Sequence, residues 1–229
     1  MRRVRTVFEP QRRALLAALL GAAGAPSSLA RTIPASWKVI ELGADVDPAV
    51  STGALAIDDA GLAAGWVGEV PALFTPDGRV QPLGDRPGRA LGFDREGRVV
   101  GRFFGADDGP PVAFVVRGAV LVETASIDAV AMPDARPALP RAFFAQAYAR
   151  NRAGDVVGTS DVGAGTAARA VMQAPQGDVI NLDALHVVRA AGWRQLLVAY
   201  AINNRGLIVG VGMRDNGAMR GFLLTPRPR

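Results

Sequence analysis

Apolar segments recur along the chain in a fixed phase around a short polar corner. The segments "AIDDAGLAAG", "GFDREGRVVG", "ARNRAGDVVG" and "AINNRGLIVG" share one plan: an apolar end, four corner residues, then an apolar run closed by glycine. Each corner starts with Asp58, Asp94, Asn151 or Asn203 and ends with Gly61, Gly97, Gly154 or Gly206. Asp or Asn at the first place of a type I turn bonds the backbone two residues on, and glycine at the fourth place takes positive φ and forms a bulge. That combination closes β-hairpins, so each corner predicts two paired strands with solvated residues at the tip. A second glycine follows four residues later at Gly65, Gly101, Gly158 and Gly210. Inside a strand it signals a bulge, a bend or a close backbone approach, and its recurrence assigns it a packing role.

Each unit continues into a third apolar strand: "PALFT", "PVAFVV", "ARAVM" and "RGFLLT". In three units a short turn and a fourth strand follow: "RVQPL", "AVLVE" and "DVINL". The last unit stops after its third strand, and "WKVIEL" near the start of the chain matches the missing fourth. The pattern therefore predicts an all-β chain of four four-stranded antiparallel units, shifted in phase. Four-stranded repeats of roughly 40–50 residues are characteristic of β-propellers, so a small, four-bladed propeller-like fold is expected, with an irregular β-sandwich as the alternative. The corner glycines lie 36, 57 and 52 residues apart. The spacing is widened by two insertions, 124–144, which reads as a proline-bearing loop, and 183–197, which has room for a helical turn.

The order "DVINLDAL", "GW", "AINNRGLIVGVG", "GFLLTP" resembles the HAF repeat family of bacterial extracellular repeat proteins, and the resemblance runs over most of residues 37–226. It implies secretion and a β-rich repeat fold, and no established enzymatic activity. The family's third-strand histidine is replaced here by Pro71, Val112, Arg169 and Arg220.

The N-terminus reads as an export signal. A basic stretch precedes the 12-residue apolar run from Ala14 to Ala25, and "PSSLA" supplies small residues for cleavage after Ala30. The run is shorter than the roughly 20 residues that span a bilayer. Arg12-Arg13 gives it a loose likeness to a twin-arginine signal. Residues 31–229 are then one mature β-repeat domain, extracellular or periplasmic, without a membrane span. The signal also changes the reading of charge. The whole chain has net charge +5, but residues 1–30 hold five arginines and only Glu9. The remaining 21 basic and 20 acidic residues are nearly balanced, and no basic run lies beside aromatic residues, so nucleic acid is not an expected partner.

Candidate chemistry is sparse. There is no cysteine and one histidine, His186, which rules out thiolate and multi-histidine metal sites. Asp58-Asp59 and Asp107-Asp108-Gly109 lack the alternating spacing of a calcium loop. "GTSDVGAGT" has Ala164 where a phosphate loop needs lysine, and no G-x-S-x-G elbow occurs. No catalytic residue, cofactor or metal site is assigned. Trp66, His186 and Trp193 are the ligand-contacting candidates. The expected function is a secreted, non-catalytic binding or interaction module with an extracellular ligand or protein partner. The alternatives are a carbohydrate-active enzyme using two carboxylates and a purely structural envelope protein. Carboxylates gathered in one cleft would favour the enzyme, and carboxylates confined to hairpin tips the module.

Overall fold

The computed structural model describes residues 34, 36–105, 109–117, 120–124, 146–160, 168–175 and 177–227. The export-signal segment 1–30 and the 124–144 insertion beyond Thr124 lie outside the described residues, as do Asp107 and Asp108 of the second acidic cluster. The chain is all-β, and the described residues form sixteen strands in four four-stranded antiparallel sheets. Strand β1 (Ser36–Leu42) comes first, followed by the first complete sheet: β2 (Thr52–Ile57), β3 (Ala63–Val67), β4 (Val70–Phe74) and β5 (Val80–Pro82). The second sheet is β6 (Gly88–Phe93), β7 (Val99–Phe103), β8 (Val112–Arg117) and β9 (Val120–Thr124). The third is β10 (Gln146–Arg150), β11 (Val156–Ser160), β12 (Arg169–Gln173) and β13 (Val179–Asn181). A 3-10 turn at Leu182–Ala184 and helix α1 (His186–Ala190) then lead into β14 (Trp193–Ile202), β15 (Ile208–Arg214) and β16 (Met219–Arg227).

The fourth sheet is completed from the other end of the chain. Strand β1 pairs antiparallel with β16, from Ser36 opposite Arg227 to Leu42 opposite Gly221. The sequence "WKVIEL" thus supplies the fourth strand that the last unit lacks. Residues 193–197 belong to the long strand β14 and not to the preceding insertion, which ends at Gly192. Register shifts at three points along β14 let this strand be both long and bent.

Three hydrophobic cores join the sheets in series. Val157, Ala170 and Met172 of the third sheet pack with Trp193, Leu196 and Phe222 of the fourth. Leu42, Val209 and Leu223 of the fourth pack with Ala54, Ala72 and Phe74 of the first. Ala64 and Leu73 of the first pack with Ala90, Phe103 and Phe114 of the second. Adjacent residues in one strand serve opposite cores: Ile208 faces one and Val209 the next, and Phe222 and Leu224 alternate with Leu223. Burial on both faces is why these strands read as continuous apolar runs. The interblade connections join in, with Val188 filling one core and Val46 and Val50 flanking another.

The second glycine of each unit marks one repeated device. Gly65, Gly101, Gly158 and Gly210 stand opposite Ala54, Ala90, Ala147 and Ala199 on the first strand of the unit. The register of that strand slips by one residue just beyond each alanine, and at Gly65, Gly101 and Gly210 a backbone carbonyl of that strand occupies the space above the glycine. A Cβ built on Gly210 would lie 1.9 Å from the Val198 carbonyl oxygen, and one on Gly65 1.9 Å from that of Gly53. The residues left unpaired by the slips include Leu55, Leu91, Tyr148 and Tyr200. The two tyrosine rings meet edge to face at 5.0 Å.

Candidate functional site

The two ends of the inner hairpins, formed by the first two strands of each unit, differ in character. One end carries the four corners. In each, the glycine amide donates to the carbonyl of the first corner residue, and that residue's own amide donates to the carbonyl four residues on, as in Gly206 to Asn203 and Asn203 to Leu207. The glycines have φ of 97°, 75°, 89° and 79° in chain order, the left-handed region that a side chain resists. The first-residue Oδ1 always accepts the amide four residues on, from Leu62, Arg98, Asp155 and Leu207.

The remaining side-chain atom separates Asn from Asp. Asn151 Nδ2 donates to the Asn203 carbonyl at 3.3 Å, and Asn203 Nδ2 donates to the Asp58 carbonyl at 2.8 Å. The corners of the third, fourth and first units are therefore wired in a row. Asp58 and Asp94 carry no donor at this position. Asp94 turns its second oxygen to Arg98 instead, at 2.6 Å. Burial pushes the Asp94 carboxyl up, but the bonds from the Arg98 amide and guanidinium outweigh it and hold the group below its ordinary range.

The second corner residues run a parallel relay, so they are more than solvated tips. The Arg152 amide donates to Asn204 Oδ1, and Asn204 donates to both carboxylate oxygens of Asp59 through its amide and its Nδ2, at 2.9 and 2.8 Å. The bond from the Asn204 side chain, then that from its backbone amide, holds the Asp59 carboxyl below its ordinary value.

Two of the positions where the resemblance expects histidine hold structural cations. Arg220 is 2% exposed; its Nε lies 3.0 Å from Glu41 and its Nη1 donates to the Val50 carbonyl at 2.7 Å. Arg169 pairs with the fully buried Asp183, which also meets Arg189 at 3.3 Å and accepts the Leu196 amide at 3.1 Å. Both arginines lie at the start of the third strand of their sheet, Arg169 first in β12 and Arg220 second in β16, and tie it to an acid of the fourth strand or of the turn that follows it. Pro71 and Val112, at the equivalent places, carry no charge.

The three ligand candidates fall in different places. His186 is exposed at the start of α1. Trp193 is 2% exposed, set edge-on to Phe222 at 6.2 Å and covered by the Arg214 guanidinium at 4.8 Å, so no ligand reaches its ring from solvent. Trp66 is half-buried at the end of β3, and no contact brings it to the other two.

Trp66 belongs to an arrangement that the sequence analysis missed. Next to the invariant Ala–Gly pair, each inner hairpin has a second cross-strand pair, on the side away from the corner. These pairs are Gly53–Trp66, Arg89–Arg102, Gln146–Thr159 and Val198–Val211. The first pair is identical in all four units and the second differs in every one. Its members touch across units. The space above Gly53 is filled by Trp66 and Val211, and the Arg89 guanidinium lies 5.0 Å from the Trp66 ring centroid and 5.1 Å from that of Phe104. Arg89 Nη1 donates to the carbonyls of Gly88 at 2.7 Å and Glu69 at 3.0 Å. Burial lowers its guanidinium below the ordinary value, with the Glu69 charge opposing. Beside it, Arg86 lies over Phe103 at 4.4 Å and pairs with Glu123. The signal was present in the sequence, one residue beyond each second glycine and one before each alanine. It becomes visible only when the hairpins are aligned in register.

No group of three or more His, Cys, Asp or Glu side chains that could hold a metal ion occurs among the described residues, and no helix among them is long and apolar enough to cross a membrane. No family model, curated protein or solved structure matches the chain.

Proposed function

We propose that this chain is an exported, non-catalytic binding module of the HAF repeat type, whose ligand is met at the variable end of the inner hairpins. The observation that carries the reading is the contrast between the two neighbouring cross-strand pairs. One is Ala–Gly in every unit; the other is Gly–Trp, Arg–Arg, Gln–Thr and Val–Val. In repeat folds the common residues hold the scaffold and the divergent ones meet partners. The placement of the acids supports a module over a two-carboxylate hydrolase. Asp58, Asp59 and Asp94 are engaged in the corners, and Glu41 and Asp183 are held by arginines. The order of the repeat motifs supports the family reading, and the basic-apolar-small order of residues 1–30 supports export.

A thermal-shift series on the exported protein tests this reading, using neutral and acidic oligosaccharides, calcium and peptides. A ligand that binds only the folded state raises stability by about 2.7 kcal/mol at a hundredfold excess over its dissociation constant. The expected result is a dose-dependent rise with one ligand class and no turnover of it. Hydrolysis or elimination of a saccharide would move the assignment to the enzyme. The intact mass of the exported chain checks cleavage after Ala30.

A further inference from the structure

We infer that the Arg89–Arg102 pair, with Trp66 and Phe104, is a recognition site for the carboxylate of an acidic saccharide. The inference rests on the module reading and names its ligand class. Arg89 and Arg102 stand directly opposite each other on β6 and β7. Like charges so placed destabilise a sheet unless something lies between or beside them to neutralise them. Among the described residues neither arginine has an acidic side chain within ion-pair distance, whereas neighbouring Arg86 has one and Arg98 two. Glu69 is felt electrostatically by Arg89 but supplies only its backbone carbonyl. Among the described residues the strand pair thus keeps a double positive charge without an acidic partner, at a rung whose residues differ in every unit.

The setting of Arg89 adds direction. Its guanidinium lies against two aromatic rings and is anchored through Nη1 by two carbonyls. A side chain fixed in this way has already lost its rotamer freedom, so its Nε and Nη2 donors meet an anion without a further ordering cost. A guanidinium fork matches a carboxylate in bidentate fashion. Arg102 is exposed and its side chain makes no hydrogen bond among the described residues, so its guanidinium can grip the same anion or the next along a chain. Phe104 is 41% exposed and Trp66 half-buried, so aromatic surface adjoins the cationic edge. A uronate presents both complements on one ring: an equatorial carboxylate and an apolar C–H face. A nucleic acid would also offer anions and stacking faces, but the near balance of basic and acidic residues beyond residue 30 supplies no extended positive surface for its backbone.

The test is a titration of the full-length protein with a galacturonate trimer, followed by tryptophan fluorescence and repeated by calorimetry. The methyl-esterified trimer and a short single-stranded oligonucleotide serve as comparisons. The wild-type chain is expected to bind the acid form at least tenfold more tightly than the ester, with affinity falling as salt is added. Arg89→Gln and Arg102→Gln should each weaken binding at least tenfold, and Arg95→Gln, at an exposed corner, should leave it unchanged. Arg102→Gln should also melt at or above the wild-type temperature, because it relieves a repulsion; a purely structural arginine would lower it. Uronate binding that survives both substitutions overturns this site while leaving the module reading standing. No binding of the acid trimer, equal binding of the ester, or tighter binding of the oligonucleotide overturns the proposed ligand class.

Discussion

A single atom decides how far each corner reaches. Asn and Asp are interchangeable as turn formers, and the sequence pattern treats them alike. In the fold they diverge, because only the amide carries a donor. Asn203 is 4% exposed and its Nδ2 bonds the Asp58 carbonyl. Asn203→Asp replaces that donor with a carboxylate oxygen facing a carbonyl. The expected loss is about 1–3 kcal/mol, the range for a buried polar contact turned against itself. Asp58→Asn keeps the accepting Oδ1 and should change stability by less than about 0.5 kcal/mol. Urea denaturation of the two variants checks the asymmetry, and equal losses would contradict it. Asp59 adds a pH signature. Its carboxyl is held below the ordinary value by Asn204, so its contribution is present above the unfolded value of about 3.9 and is lost as pH falls through the lower folded value. Melting temperatures between neutral pH and pH 3 should therefore fall less steeply for Asp59→Asn than for wild type below about pH 4. Superimposed acid limbs would remove Asn204 as the cause.

At the scale of the strand, the repeated glycines have two separate reasons. Gly206 needs φ of 79°, and Gly206→Val should cost more than about 1 kcal/mol, since a β-branched residue resists positive φ. Gly210 has an ordinary backbone but no room, with a carbonyl oxygen 1.9 Å from the position of a Cβ and the Phe222 ring at 2.9 Å. Even Gly210→Ala should cost about 1–3 kcal/mol through overpacking. Thermal melts of the pair distinguish strain from crowding, because Gly217, with φ of 86° and open space around it, should behave like Gly206 and tolerate Asn at little cost. Much of this was legible in the sequence. The Asx-x-x-Gly corners and the second glycine gave the hairpins and a bulge, and the four-strand count followed. The Ala–Gly rung and the divergent rung beside it were not legible. They depend on register, and a register slip hides in any sequence where both faces of a strand are apolar, as at Ile208 and Val209. Trp193 shows the same limit from the other side: an aromatic residue just after an insertion offers no local sign that it is buried. The structural roles of Arg169 and Arg220 were equally hidden, because their acids lie on other elements, one of them in β1.

For the described body as a whole, the decisive contact joins the ends of the repeat. Leu42 of β1 is fully buried in the core between the fourth and first sheets, and Trp37 in the core between the third and fourth. Without β1, strand β16 would become an edge and Arg220 would lose the Glu41 carboxylate. The phase shift of the four units is therefore what makes them one β-repeat body. The absence of cysteine allows the pairing to be measured directly by introducing two. Lys38 stands opposite Thr225 in the register of β1 and β16. Directly paired residues are close enough for a disulfide, whereas those two places out of register are not. Mild oxidation of the K38C/T225C chain should give an intramolecular cross-link in the native protein and lose it when oxidation is carried out in denaturant, while K38C/R227C stays reduced. A native K38C/T225C chain that keeps both thiols free, or one that cross-links no better than K38C/R227C, would contradict the strand exchange on which the four-unit fold depends.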